Sequence, residues 1–231
     1  MQTSNKIIFS FLTIAWVSIM ATLLISHQFA DYNNIPGMRK VVKSETDLAD
    51  FSVITIDEAS RLQIVPSDSN RLDYEELIGE GLKPPKTEPI QDFIVENDTL
   101  FIKNLRNASN GGYTLRVKNL NYLIVRNTYS VDLIGFSQDS LLINSLNSNV
   151  TISKNSEFSF LYLKSEPKFD LTIKSAKEFS LSLTEDNCNV FGEIEEISGI
   201  IGNYAGLGIP RKTEKVDVDT SVNGKIHYVF K

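Results

Sequence analysis

The side chains in this chain with chemistry to offer are few: two histidines, one cysteine and scattered carboxylates. His27 borders an apolar segment and His227 lies in the last strand-like run, so the histidines are not spaced as a catalytic set or a zinc site. Cys188 is single, which excludes an intrachain disulfide. Beside a strand it reads first as a small buried residue and second as a reactive thiol. It also lies too far from the N-terminus to carry a lipid anchor. Asp217-Val218-Asp219-Thr220-Ser221-Val222-Asn223-Gly224 has the look of a calcium loop, but its glycine falls two positions late and no Glu closes it. An alternating strand running into an Asn-Gly turn explains the same letters. Gly199, Gly202, Gly206 and Gly208 lack a following Gly-Lys-Thr and the dinucleotide spacing, so they read as a flexible loop or bulge. Glu193, Glu195 and Glu196 read as a solvated acidic face, with weak cation attraction as the alternative. Asn97, Asn107 and Asn149 each open a glycosylation sequon, of consequence only in a eukaryotic secretory pathway. The expectation is no catalytic residue, no cofactor site and no metal site. The formal net charge of -6, with no Lys/Arg-rich block, also speaks against a nucleic-acid partner.

The elements that carry these residues are short apolar strands recurring from Tyr122 to Phe191. Tyr122 to Val125 is matched by Ser130 to Leu133, Leu141 to Ile143 by Val150 to Ile152, Phe158 to Leu163 by Phe169 to Ile173, and Phe179 to Leu183 by Val190 and Phe191. Leu123, Leu142, Leu161 and Ser180 form one series of offsets, and Val131, Val150, Leu171 and Val190 another, at roughly 19 to 21 residues. A unit of that size cannot bury its own core, so neighbours must stack. The prediction is an all-β, β-helix-like solenoid over 51–231, its inward rows made of Leu, Ile, Val and Phe. A sandwich of short strands is the rival. Earlier strands are expected at Phe51 to Ile56, Arg61 to Val65, Asp92 to Val95, Thr99 to Lys103 and Tyr113 to Val117. Glu96-Asn97-Asp98 turns one of these into the next. Gly79 to Gln91 holds too many Gly and Pro residues for a strand and reads as a loop. Asp217 to Val222 and Ile226 to Phe230 are expected to form a terminal hairpin within 215–231.

Ahead of the strands, Ile7 to Ile25 carries no charge. At about 1.5 Å rise per residue it is long enough to cross a bilayer core. Residues 1–6 form a short flank, 7–26 a single transmembrane anchor and 27–50 a linker. A cleaved signal peptide with secretion is the alternative; the position two before the best small-residue site, Ala30, is Gln28, which fits cleavage poorly. Lys6 abuts the span, whereas Arg39, Lys40 and Lys43 lie further off, so charge leaves the orientation open. Ser18, Thr22 and Ser26 recur at i+4, as a face for helix pairing or as hydroxyls bonded to their own backbone.

Phe51-Ser52-Val53, then Arg61-Leu62-Gln63-Ile64, Asp98-Thr99-Leu100-Phe101-Ile102 and Tyr113-Thr114-Leu115-Arg116-Val117 ahead of the repeats resemble the auto-transporter adhesin head domain, also called the GIN domain, of Bacteroidetes-type envelopes. The resemblance covers roughly Phe51 to Phe230. It implies a β-helix-like fold outside the cytoplasm with no established enzymatic activity. The family's turns are of Gly-Ser-Gly-Asp type. Here they read Asn127-Thr128-Tyr129-Ser130 and Leu146-Asn147-Ser148-Asn149, which marks a divergent member.

The expected function is a single-pass inner-membrane protein whose C-terminal domain faces the periplasm and binds or adheres to polysaccharide or envelope protein through polar outward rows. One alternative is a polysaccharide-active enzyme. Of Asp132, Asn149, Asp170 and Asn189, at corresponding strand positions, only two are acidic, and these lie about 10 Å apart at the usual strand spacing. The other alternative is a self-assembling envelope scaffold built by stacking bare ends.

Overall fold

The structure is a computed structural model that describes residues 13, 15–22, 38–79, 90–106, 111–153, 155–165, 169–184 and 187–229. The chain divides into two compact units, Met1–Arg39 with Gly79–Leu82, and Lys40–Ile78 with Lys83–Lys231. In the first unit, residues 15–22 are helical. Trp16, Val17 and Ile19 of this helix are largely exposed, and the Thr22 hydroxyl donates to the Ser18 carbonyl at 2.8 Å. That hydroxyl is therefore bonded back to its own helix. Among the described residues no helix is long and apolar enough to cross a membrane. The rest of the expected span, 7–12, 14 and 23–26, lies outside them.

Everything else described is strand and turn. The strands are β1 (Met38–Asp47), β2 (Val53–Asp57), β3 (Arg61–Pro66), β4 (Arg71–Gly79), β5 (Ile90–Glu96), β6 (Thr99–Arg106), β7 (Gly111–Val117), β8 (Tyr122–Arg126), β9 (Ser130–Leu133), β10 (Ser137–Leu146), β11 (Val150–Ile152), β12 (Glu157–Ser165), β13 (Phe169–Leu183), β14 (Asn187–Ile201), β15 (Gly206–Pro210), β16 (Lys215–Thr220) and β17 (Lys225–Val229). Part of the expected linker is thus the strand β1, with residues 27–37 outside the described set.

The strands stack in two columns of parallel pairs. One column runs β6, β2, β8, β10, β12, then the later halves of β13 and β14, then β16. The other runs β7, β3, β9, β11, the early halves of β13 and β14, then β15 and β17. Consecutive strands of a rung lie in different columns, so the opposed antiparallel sheets of a sandwich do not form. Two long strands serve both columns. β13 shifts register between Thr172 and Ser175, and β14 bends at Gly192, whose φ of 143° a side chain rarely adopts.

Alternation decides which residues point inward. In the first column Ile54, Leu123, Ile143, Leu163 and Leu181 stand in one buried row. In the second, Leu62, Val131 and Val150 form one row and Ile64, Leu133 and Ile152 another. Each such side chain contributes roughly 1.5 to 3 kcal/mol on burial.

The register corrects several expectations. Leu123 stands beside Ile143, not Leu142, and Leu161 beside Leu141 and Phe179. Leu142 points outward and is 38% exposed. In the run Leu141-Leu142-Ile143 every residue is apolar, and only the pleat chooses the outer one. Leu171 stands beside Ile152 rather than Val150. The terminal hairpin does not form: β16 pairs with β14 and β17 with β15, both parallel, so the Ser221–Gly224 turn closes a last rung. Gly199 belongs to β14 and Gly206 and Gly208 to β15, so these three lie in strands, and Gly202 stands in the short turn between them. They allow close stacking instead: a Cβ at Gly199 would lie 1.9 Å from the Leu181 carbonyl oxygen.

The order of rungs departs from the order of the chain. The rung β2–β3 is held between β6–β7 and β8–β9. Beyond β6–β7, β5 adds to β6 and β4 to β7, both antiparallel. The expected Glu96-Asn97-Asp98 turn joins β5 to β6, with Asn97 and Asp98 at φ 48° and 62°.

Candidate functional site

Corner residues set the rungs at fixed heights. Glu58, Asn127 and Asn147 take left-handed φ of 55°, 47° and 48° at equivalent corners. Asparagine tolerates that conformation and fills the role a turn glycine would otherwise play. The Asn147 side-chain amide donates to Asn127 Oδ1 at 3.1 Å, and Asn127 Nδ2 to Asp57 at 3.4 Å. Behind them, buried hydroxyls satisfy backbone donors of the neighbouring rung. Ser148 Oγ accepts from the Thr128 amide at 3.0 Å, and Ser156 Oγ from the Phe136 amide at 3.2 Å. An unmet buried amide would cost about 1–3 kcal/mol, so these hydroxyls pin the stack.

With the rungs so fixed, the outward face of the first column is laid out by register. Val53, Tyr122, Leu142 and Tyr162 form one outward row, one residue per rung. The next row places Ile124 between Thr55 and Asn144. Phe101 extends it beyond Thr55, and Phe160 stands beside Ser140 on the other side. At roughly 4.8 Å per rung the apolar row spans about 14 Å. The same rows change character beyond β12. Tyr162 is followed by Ser180, Ser198 and Asp217, and Phe160 by Glu178, Glu196 and Lys215. A strand with apolar residues on both sides usually lies between two layers. Here one side meets solvent, so the face is an apolar, hydroxyl-bearing platform on a rigid sheet. Polar outward rows were expected throughout, and this patch is the candidate feature that expectation missed. Its signal was present in Tyr122-Leu123-Ile124-Val125 and Phe160-Leu161-Tyr162-Leu163, which lack a polar alternation.

A second feature is an open groove of about 620 Å³ along the start of β10, β12 and the later parts of β13 and β14. Asp139, Glu157, Glu193, Glu195 and Glu214 line it, with Lys177 and Lys212. Ser137, Glu157, Ser175 and Glu193 stand one per rung, which separates the two glutamates by about 10 Å. Lys174 pairs with Glu157; that bond, then the Glu157 charge, then the more distant Glu193, raise the Lys174 amine above its usual range against a small desolvation penalty. Lys215 bonds Glu196 at 3.0 Å, and its amine is raised first by that bond and then by the Glu196 charge. Glu193, Glu195 and Glu196 are exposed, as expected of a solvated face, and Glu196 is paired with a lysine of the adjacent rung.

The remaining candidates are dispersed. Asp132 lies 3.2 Å from the Arg61 guanidinium and accepts from Ser130, a structural role. Its row continues through Thr151, not the expected Asn149, and the Asp170 backbone lies a further rung on. Cys188 is buried beside Phe169 and Leu207 in the stack. His227 stands in β17 on the outward row after Gly208. Among the described residues no group of three or more His, Cys, Asp or Glu is placed to hold a metal ion. Asn107 lies outside the described residues.

The sequence matches no family model and no curated protein. Its structure can be compared with solved ones. A structure described as a "putative adhesin" from Bacteroides fragilis superposes with a TM-score of 0.54 at 14% identity, covering 83% of this chain and 97% of the other. A second "putative adhesin", from Parabacteroides distasonis, gives 0.46 at 15% identity, over 83% and 97%. The first likeness shows a shared fold, as the resemblance drawn from Phe51 to Phe230 implied.

Proposed function

We propose that this chain is a membrane-tethered, non-enzymatic β-solenoid of the cell envelope that binds polysaccharide on the outward face of its first column. The observation that carries the reading is the row Val53, Tyr122, Leu142 and Tyr162, held one per rung on a parallel sheet. Tyrosine offers an apolar ring for a sugar face and a hydroxyl for its edge. Two such rings, about 10 Å apart with Leu142 between them, match successive units of a linear chain of sugars better than a compact ligand. The description of the Bacteroides fragilis structure as a "putative adhesin" supports a binding role of this kind. The exposed apolar residues Trp16, Val17 and Ile19, within the uncharged stretch Ile7 to Ile25, support a membrane anchor, and the resemblance to an envelope family favours the extracytoplasmic side for the strands.

The test is retention of the full chain on a panel of immobilised bacterial polysaccharides. Tyr122→Ala with Tyr162→Ala should lower retention about tenfold, at about 0.5–1.5 kcal/mol per ring, with the melting temperature little changed. Equal retention by the double variant removes the platform from consideration. A cysteine introduced between 27 and 37 and challenged with a membrane-impermeant maleimide on intact cells tests the location. Protection from label would place the domain on the cytoplasmic side and end the envelope reading.

A second reading, a polysaccharide-active enzyme, rests on the carboxylate-lined groove. It requires that Glu157→Gln or Glu193→Gln abolish the release of reducing ends from a polysaccharide the chain retains.

A further inference from the structure

The two strands of the last rung leave their outer edges unpaired among the described residues. Their side chains continue the buried rows. Val216 stands beside Ile197, Val218 beside Gly199, Ile226 beside Leu207 and Tyr228 beside Ile209. Val216, Ile226 and Tyr228 are nevertheless exposed, the last at 56%. Between them, pointing outward, β16 carries Asp217 and Asp219, and β17 carries Lys225 and His227. The two strands meet at the turn Ser221–Gly224, closed by a bond from the Gly224 amide to the Ser221 carbonyl at 2.9 Å. At its tip Val222 is 97% exposed.

We infer that this rung pairs with the same rung of a second copy, β16 of each running antiparallel to β17 of the other. The second copy is singled out because the rung is complementary to itself. A two-fold axis through the turn, perpendicular to the stack, exchanges the two columns and reverses strand direction. With Val222 on the axis, residues at equal distances along the chain face one another. Val218 then meets Ile226 and Val216 meets Tyr228, joining inward apolar rows to inward apolar rows. Asp219 meets Lys225 and Asp217 meets His227, joining outward acids to outward bases. Each match occurs twice, and both strand edges gain ladder partners. A shift of one residue would set inward side chains against outward ones. The contact uses the same rung of both copies, so it closes at two, and the opposite end carries the differently built antiparallel strands β4 and β5.

Sedimentation of the full chain in density-matched detergent tests this. The wild type should dimerise. Asp219→Lys should weaken the dimer at least about tenfold, since two attractions become repulsions. Adding Lys225→Asp to that variant should restore it. Circular dichroism establishes that each variant keeps its strand content. Val222→Cys adds a readout that leaves the strands untouched: a short bis-maleimide should link two copies through this position. A monomeric wild type would overturn the proposal, with the charges then acting to block edge pairing. So would a dimer indifferent to both charge changes, or one that the bis-maleimide does not link.

Discussion

The two ends of the stack are finished by different physics. At the β6–β7 end, β4 and β5 turn back antiparallel over the last parallel strands. Tyr74 of β4 is buried against Tyr113 of β7, ring centroids 4.7 Å apart and tilted by 44°. Burial, and next the neighbouring Tyr74, push the Tyr113 phenol well above its usual range, against a bond from Gln91. Asp73 sits buried between two guanidinium groups, 2.7 Å from Arg71 and 2.8 Å from Arg116, and Arg71 reaches on to Glu45 at 3.1 Å. At the β16–β17 end the inward rows stop at side chains open to solvent. One end has reversed its strands and buried both rings and charge. The other keeps the parallel order and displays its core. A stack of identical rungs has no internal reason to stop, so each terminus requires its own solution.

The sharpest way to break this contrast is a matched pair of truncations. Tyr74→Ala should cost about 3–5 kcal/mol in a denaturant titration, because the closed end cannot refill the space. Tyr228→Ala, read at low protein concentration, should cost under about 1 kcal/mol, because water already reaches its ring. Equal costs would mean that the ends are not different in kind. A smaller effect should follow Asp73→Asn, about 1–3 kcal/mol by the same titration, as two arginines lose a buried anionic partner. No counterpart to that cluster is described at the open end. The smallest effect should come from Lys215→Met, which removes the exposed pair with Glu196 beside the open end. The Lys215 amine is raised in the folded chain, so its contribution is complete below the unfolded value of 10.5 and fades only as pH climbs past it. Melting temperatures of wild type and variant should therefore differ slightly at neutral pH and converge as pH climbs past that value, and a large gap at neutral pH would assign the open end more charge stabilisation than so exposed a pair supplies.

Much of the fold was legible in the strands themselves. The spacing of the Tyr122 to Phe191 repeats, the strand positions before them and the β5–β6 turn follow from alternation and turn chemistry. What stayed hidden was pairing. Nothing in Val53 to Asp57 marks it as the neighbour of both Thr99 to Lys103 and Tyr122 to Arg126, because all three offer similar apolar strands. Asn223-Gly224 is a hairpin signal locally, and only the two columns decide that its strands part. Leu142 and the tyrosines beside it were hidden for a related reason. A strand that is apolar on both sides does not reveal which side is wet. The acidic groove was half legible: Glu193 and Glu195 stand out in the chain, whereas Glu157 and Asp139 join them only through stacking.

The insertion of β2–β3 between rungs that follow it in the chain bears on how the protein is made. A strand emerging in chain order, as in the proposed export, can zip onto its predecessor when rungs succeed one another, as from β8 to β17. Residues 53–66 must instead wait, with both edges bare, until residues 99–133 have followed them. Long-range closure of this sort is slow and exposes unpaired edges meanwhile. The N-terminal half should therefore be the late and chaperone-dependent part of assembly, although it is translated first.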